Sequence, residues 1–395
     1  MTTTPATERV RALPRGSTLA TVIVPLARIS TVVLFAIAPA VGLLALLWVA
    51  RDSLAVDMHH AFRPAAAAVL AGDSPYPPPT VESIAGRDAF VYLPLAAIMF
   101  TPFALVPPLA ADLLATAAVI LMAAAALWIL GVRDWRCYGI ALASMQVFSA
   151  IQNANLTLPL LLALAVVWVT RRRTVTPGVV LALTLATKLF LWPMLVWLLA
   201  TRRYGSMLVA AGSSAVLVLG SWAAISFAGV REFPSLMRVL TKTLGSDSYT
   251  VFAVASDLGV GELPARLLGL AVATAVLGAC WLLGRRGDDA RSFTLAILAT
   301  LLFSPIVWLH YFALLFVPVA IVHRRLSYLW VAPLVLWVYG DPFDNGTTLE
   351  TVLTLLSMTV LVGLILGEAR QGAAARLGDT RRALNGSLAT GSPNA

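Results

Sequence analysis

The feature that most constrains this chain is the recurrence of long apolar blocks. They fall at about 27–50, 90–106, 108–130, 137–151, 155–170, 177–187, 189–201, 206–229, 264–284, 291–304, 310–322, 327–340 and 350–367. Charged residues make up 12% of the chain, about half of the ~25% usual in a soluble domain. This pattern predicts an all-α polytopic integral membrane protein. Basic clusters separate many of the blocks: Arg133/Arg136, Arg171–Arg173, Arg202/Arg203, Arg285/Arg286/Arg291 and Arg324/Arg325. Short loops rich in Lys and Arg stay on the cytoplasmic side, so these clusters and both termini are expected inside. The stretch "FVYLPLAAIMFTPFALVPP" must then dip into the membrane and return, or lie along its surface. Its Pro94, Pro102, Pro107 and Pro108 argue against one straight helix. About twelve crossings result.

Three parts follow from this pattern. Residues 1–26 form a cytoplasmic N-terminal segment, and 27–367 a transmembrane domain with larger outer loops at about 51–89 and 230–263. Residues 368–395 are small, polar and basic, the composition of a disordered cytoplasmic tail. The apolar run after Arg9, Arg11 and Arg15 is longer than the ~7–15 residues of a cleaved signal's core, so it is read as a retained first helix. The net charge of +9 does not point to nucleic acid, because the arginines sit in short inter-block clusters and not on one face. Cys137 and Cys280 lie in or beside apolar blocks without metal-ligand spacing, and are read as packed thiols.

Several blocks are too short to cross. A span needs ~20 residues, yet 177–187 and 189–201 have arginines at both outer ends and Lys188 between them. A hairpin of short helices with Lys188 at its tip satisfies both constraints. The pair 137–151 and 155–170 has the same form, with "SAIQNANLT" at its tip. Arms of this length reach only ~17–20 Å, so the polar tips need a hollow open to the outer side. Asp57, just beyond the first helix, and His310 in "SPIVWLHYF" are expected at similar depth. Each has an ordinary alternative. Asp57 can be a loop acid paired with Arg63 or His60. Gln152, Asn153 and Asn155 can finish helix ends. Lys188 can reach toward an interface, and His310 can pack on Trp308 and Tyr311. Arg63 can pair within its own loop.

Phosphate-cradling glycine loops, GxSxG and HExxH are absent from the sequence. Intramembrane polar residues and broken helices also mark transporters and flippases. Here the two hairpins adjoin each other and do not recur in two halves, and late helices lack deep acids, which favours an enzyme.

The order of motifs carries a family resemblance. One helix precedes Asp57 and the outer loop "AAAAVLAGDSPYPP". Next come "FVYLPLAAIMFTPFALVP", "IQNANLTLPLLL", "TKLFLWPML" and "SPIVWLHYF". Over roughly 27–340 this resembles the actinobacterial polyprenyl-phosphate-mannose-dependent α-1,2-mannosyltransferases, glycosyltransferase family 87, of the GT-C fold. The resemblance implies a plasma-membrane enzyme. It would take mannose from a polyprenyl-phosphate carrier on the outer face and pass it to a glycolipid or glycan acceptor. It maps the catalytic base to Asp57, a Gln-x-x-Asn-like stretch to Gln152 and Asn155, a hairpin lysine to Lys188, and Trp-x-His to Trp308 and His310.

One carboxylate suffices for an inverting transfer, because it need only take the acceptor's proton. The departing phosphate needs a cation or donor, for which Lys188 and His310 are the candidates and Arg63 the reserve. His60, and Tyr76 in the Pro-rich "SPYPPP" segment, are expected among the substrate contacts. A single phosphate can be held by side chains, so neither an obligatory metal nor a cofactor is expected. Arabinofuranose or glucose on the same carrier is the close rival to mannose.

Overall fold

The computed structural model describes residues 29–49, 54–85, 89–340 and 347–389. The segment 1–26 therefore lies outside the described residues. Helices account for nearly all regular structure, with no strand among the described residues.

The chain opens with α1 (29–49), which contains a π turn at Val33–Ile37, and α2 (58–71), with another at Met58–Phe62. Three short pieces follow: α3 (Val81–Ala85), α4 (Pro94–Met99) and α5 (Thr101–Ala104). Prolines stand at the first or second position of α4, α5 and α6 (Pro108–Ile129), where a missing N–H is tolerated. The expectation that 90–106 is no single straight helix therefore matches a chain that restarts at each proline.

Next are α7 (Trp135–Ala143), α8 (Met145–Asn153), α9 (Thr157–Thr170), α10 (Val175–Thr187), α11 (Pro193–Ala200) and α12 (Tyr204–Ala224). Segment 230–263 supplies α13 (Phe233–Leu244) and α14 (Val251–Asp257). The remainder comprises α15 (Glu262–Arg285), α16 (Asp289–Phe303), α17 (Phe316–Val322), α18 (Tyr328–Val331) and α19 (Thr348–Ala389). Turns of 3-10 helix at Leu189–Leu191, Leu309–Leu315 and Ala332–Val338 interrupt the later blocks.

Among the described residues, four helices are long and apolar enough to cross a membrane: α6, α12, α15 and the Thr348–Gln371 part of α19. A fifth results if α8 and α9, bent by 116°, form one broken span. Other apolar blocks give helices of 10–17 residues, such as Val175–Thr187 and Leu309–Val322. The expected count of about twelve includes these shorter blocks, and hydropathy reads a buried core segment and a lipid-facing span alike. The sides of α12 and α15 expose Leu208, Val216, Leu219, Leu267 and Leu270, as lipid-facing helices do. By contrast Trp197 in α11, Phe293 in α16 and Phe316 in α17 are fully buried. The protein is a multi-pass helical membrane protein. Helix α19 runs on to Ala389, through most of the segment from 368 onward. Alanine-rich "ARQGAAARL" is a good helix former even where it lacks an apolar face.

The arginine clusters gather at one end of the helix bundle. Arg171, at the end of α9, donates Nε to Asp289 at 2.9 Å, and Arg203, after α11, grips the same carboxylate with both Nη atoms at 2.8 Å. Trp197 Nε1 adds a contact at 3.2 Å. The start of α10 meets the start of α12 there, since Ser206 Oγ donates to Arg173 O at 3.1 Å. A Cβ on Gly178 would stand 2.7 Å from Val209 Cβ and 2.8 Å from Ser206 O, so α10 and α12 cross where only glycine fits. In the adjoining loop, the Arg136 guanidinium and two backbone amides hold the Asp134 carboxyl down at about 2, below its ordinary value. One of those amides is Leu326 N, at 3.0 Å. Since both outer ends of the 175–200 hairpin lie at this end, Lys188 lies at the other.

Candidate active site

Opposite the arginine end is a cavity of about 890 Å³. Three main-chain hydrogen bonds between distant segments build it. Ala55 N donates to Gln152 O at 2.6 Å, fastening the segment before α2 to the α8–α9 tip. Leu93 N donates to Thr187 O at 3.0 Å, fastening 89–93 beside the α10–α11 tip. Tyr249 N donates to Val307 O at 2.8 Å, fastening the segment between α13 and α14 to the approach to His310. Ala55 is fully buried at φ 54°, a left-handed conformation that non-glycine residues adopt rarely. Met58 and Phe62 anchor the next turn of α2 in the core, with Phe62 stacked on Phe100 at 4.3 Å between ring centroids.

These ties bring Asp57, Gln152, Lys188, Trp308 and His310 to the wall of one cavity. Gln152 and His310 are each 6% exposed. The Tyr92 hydroxyl hydrogen-bonds the Asp57 side chain. The Lys188 ammonium donates to the Tyr311 hydroxyl. It also lies 4.4, 5.1 and 5.2 Å from the ring centroids of Tyr311, Tyr92 and Phe190. Three aromatic faces thus replace part of the hydration that a cation loses at this depth. His310 sets its ring at 90° to that of Tyr311, 4.6 Å away. The arrangement places one carboxylate, one ammonium and one imidazole around a space large enough for a sugar and a phosphate. Such a set can accept a proton on one side and stabilise developing negative charge on the other.

The other expected contacts sit elsewhere. Asn155 is buried, its Oδ1 accepts from Thr157 N at 2.9 Å in the turn that leads into α9, and it is not in the cavity lining. Its neighbour Asn153 does line the cavity. Arg63 projects one turn past His59 and donates Nη2 to Val106 O at 3.2 Å, away from the lining. His60 is exposed and packs edge-on to His59 at 5.0 Å. Tyr76 supports the wall from behind. Its hydroxyl donates to Tyr92 O at 3.0 Å, its ring stacks on Trp222 at 5.5 Å, and burial pushes its phenol up, which keeps the donor proton in place.

Tyr92 and Tyr311 were not singled out in the sequence. A tyrosine beside an apolar block reads as an interface-belt residue, and only the fold shows that these two meet the charged pair. The 230–263 segment supplies an apolar wall through α13, where Phe233, Met237, Leu240 and Leu244 face the cavity. A 3.6-residue periodicity over 233–244 was the available signal. Among the described residues, no three His, Cys, Asp or Glu side chains are grouped as metal ligands.

Membrane-crossing helices around a charged, aromatic-lined cavity fit an integral-membrane enzyme that acts on a polar group delivered at the bilayer. The chain belongs to glycosyltransferase family 87, whose profile matches residues 90–305, more than half of its length. That interval contains Tyr92, Gln152 and Lys188, while Asp57 and His310 come from the flanking segments that close the same cavity. No curated protein and no solved structure matches the chain. The protein is therefore a membrane glycosyltransferase.

Proposed function

We propose that this glycosyltransferase moves a mannosyl residue from a polyprenyl-phosphate carrier to a glycolipid or glycan acceptor, at the extracytoplasmic face of the plasma membrane. The observation that carries the reading is the meeting of Asp57, Lys188 and His310 in one cavity, at the end of the bundle away from the arginine clusters. Basic clusters of this kind mark the cytoplasmic side.

Asp57 accepts the proton of the acceptor hydroxyl while its oxygen attacks the anomeric carbon. The bond from that carbon to the phosphate oxygen breaks, and the phosphate leaves with the electron pair. Attack from the face opposite the leaving group inverts the anomeric centre. Lys188 and an N–H of His310 hold the phosphate as its charge grows, and their effect is larger in an apolar cavity than in water. Gln152, Asn153 and Trp308 bound the sugar, and the isoprenoid chain leaves along the apolar side. No step in this scheme calls for a metal.

The test is transfer by purified protein, in detergent, from radiolabelled polyprenyl-phosphate mannose to a panel of glycolipid acceptors. A labelled, anomerically inverted product supports the reading. Transfer from the arabinofuranosyl or glucosyl carrier alone replaces the donor sugar and keeps the chemistry. Movement of the carrier across a vesicle bilayer without transfer overturns it.

A further inference from the structure

Helix α13 carries a charge pattern that the transfer chemistry does not use. Its cavity-facing residues Phe233, Met237, Leu240 and Leu244 recur at helical spacing. At ~100° per residue, Arg238 and Lys242 lie about 40° apart in a stripe on the opposite face, and Arg231 stands in the turn that leads into the helix. All three are exposed, and among the described residues none has an ion-pair partner. The nearest acids do not neutralise the stripe: Glu232 lies about a quarter-turn round the helix, and Asp247 belongs to the cavity wall. Basic residues are sparse on the far side of a membrane protein from its arginine loops. Here two stand on one face of a helix whose other face is apolar, with a third in the turn just before it, at the cavity end. Exposed cations beside a bilayer surface attract acidic headgroups, by about 1 kcal/mol each.

We propose that α13 is an anionic-lipid docking surface, with Arg231, Arg238 and Lys242 holding the headgroups of acidic phospholipids at the mouth of the cavity. The partner is the bilayer's own acidic lipid, and the proposal does not depend on which sugar is transferred. The apolar face of α13 closes the cavity while its basic face keeps a layer of phosphate-bearing lipid next to the opening. That enriches, beside the active site, the surface from which any lipid-borne substrate must enter.

The test reads local lipid composition, not activity. Ser235, half-buried beside the stripe, is changed to cysteine (Ser235→Cys) and labelled with a small fluorophore. The two native cysteines, Cys137 and Cys280, are buried. The labelled protein is placed in bilayers holding equal fractions of phosphatidylglycerol and phosphatidylcholine, with one lipid at a time carrying the brominated, quenching chains. Quenching by phosphatidylglycerol should exceed that by phosphatidylcholine. R238Q should cut the excess by up to about fivefold, the partition ratio one cation contributes near an acidic surface. The variant R231Q/R238Q/K242Q should abolish it, and 0.5 M salt should weaken it. Equal quenching by the two lipids in the wild-type background overturns the proposal, as does an excess that persists in the triple variant. Equal quenching combined with a raised acceptor KM in the triple variant also overturns it, and assigns the stripe to an acidic acceptor.

Discussion

Replacing Lys188 by methionine isolates the charge on which the phosphate assignment rests. The two side chains have similar length, so Lys188→Met leaves no large void beside Phe190 and Tyr311. The ammonium now rests among three rings, 4.4 to 5.2 Å from their centroids, and on the Tyr311 hydroxyl. Removing it forfeits that hydrogen bond, about 1 kcal/mol, and cation–π contacts of about 0.5–2 kcal/mol. It also removes the desolvation cost of a buried cation, which is of opposite sign and similar size. Folding stability should therefore change by no more than about 1–2 kcal/mol. Phosphate binding has no such offset, because a charge-assisted hydrogen bond contributes about 1.5–3 kcal/mol. The expected loss in affinity for sugar-free polyprenyl phosphate is roughly 10- to 150-fold. Trp192 and Trp308 line the cavity, so intrinsic fluorescence can follow the titration in detergent. An affinity within twofold of wild type, in a variant with an unchanged melting curve, would refute the assignment of Lys188 to the phosphate.

Three further changes test the surrounding structure. Tyr311→Phe keeps the ring and removes the hydroxyl that accepts from Lys188; donor KM should rise by about 5- to 10-fold with kcat nearly unchanged, and a fall in kcat alone would remove Tyr311 from the positioning of that lysine. Asp134, whose carboxyl Arg136 holds at about 2, is depressed below its unfolded value. Its stabilisation is therefore complete above about pH 4 and is lost as pH falls from there toward 2. Asp134→Asn should lower the thermal midpoint at neutral pH, by an amount that shrinks below pH 4; a gap that stays constant into acid would show that the ion pair does not contribute. Gly178→Ala drives a methyl into Val209 and Ser206 O, at a cost of about 1–3 kcal/mol read as a lower thermal midpoint. Gly212→Ala in α12, where a Cβ has nothing within 4 Å, is the control and should leave the midpoint unchanged or raise it.

Much of the site could be read from depth and charge alone. Lys188 between two short apolar arms with arginines outside them had to sit at a tip, and the ties at Arg171, Arg203 and Asp289 put those arms' outer ends together. Asp57 followed because α1 ends just before it, and His310 because its block was short. What the sequence could not disclose was the exchange of hydrogen bonds between segments far apart in the chain. Ala55 on Gln152 and Leu93 on Thr187 decide that Tyr92 enters the site while Tyr76, earlier in the chain, stays behind the wall. Asn155 was read alongside Gln152, yet its side chain satisfies the first turn of α9, a use that the same residue type serves in any helix start. Of the expected dozen crossings, four or five stand out by length and composition among the described residues, for a related reason. The blocks around Trp197 and Phe316 are apolar because they are core, and periodicity does not tell protein interior from lipid. Segment 230–263 was legible as a long inter-block stretch, and the fold adds that the apolar side of α13 within it is a cavity wall.

The central claim is that Asp57 takes the acceptor's proton in a cavity where Lys188 and His310 hold the leaving phosphate. It is tested most directly by single-turnover transfer with purified Asp57→Asn and radiolabelled polyprenyl-phosphate mannose, together with a donor-binding titration on the same sample. The account predicts transfer slowed by about 10²- to 10⁴-fold, with donor affinity close to that of wild type. Transfer at the wild-type rate, with binding intact, would contradict it.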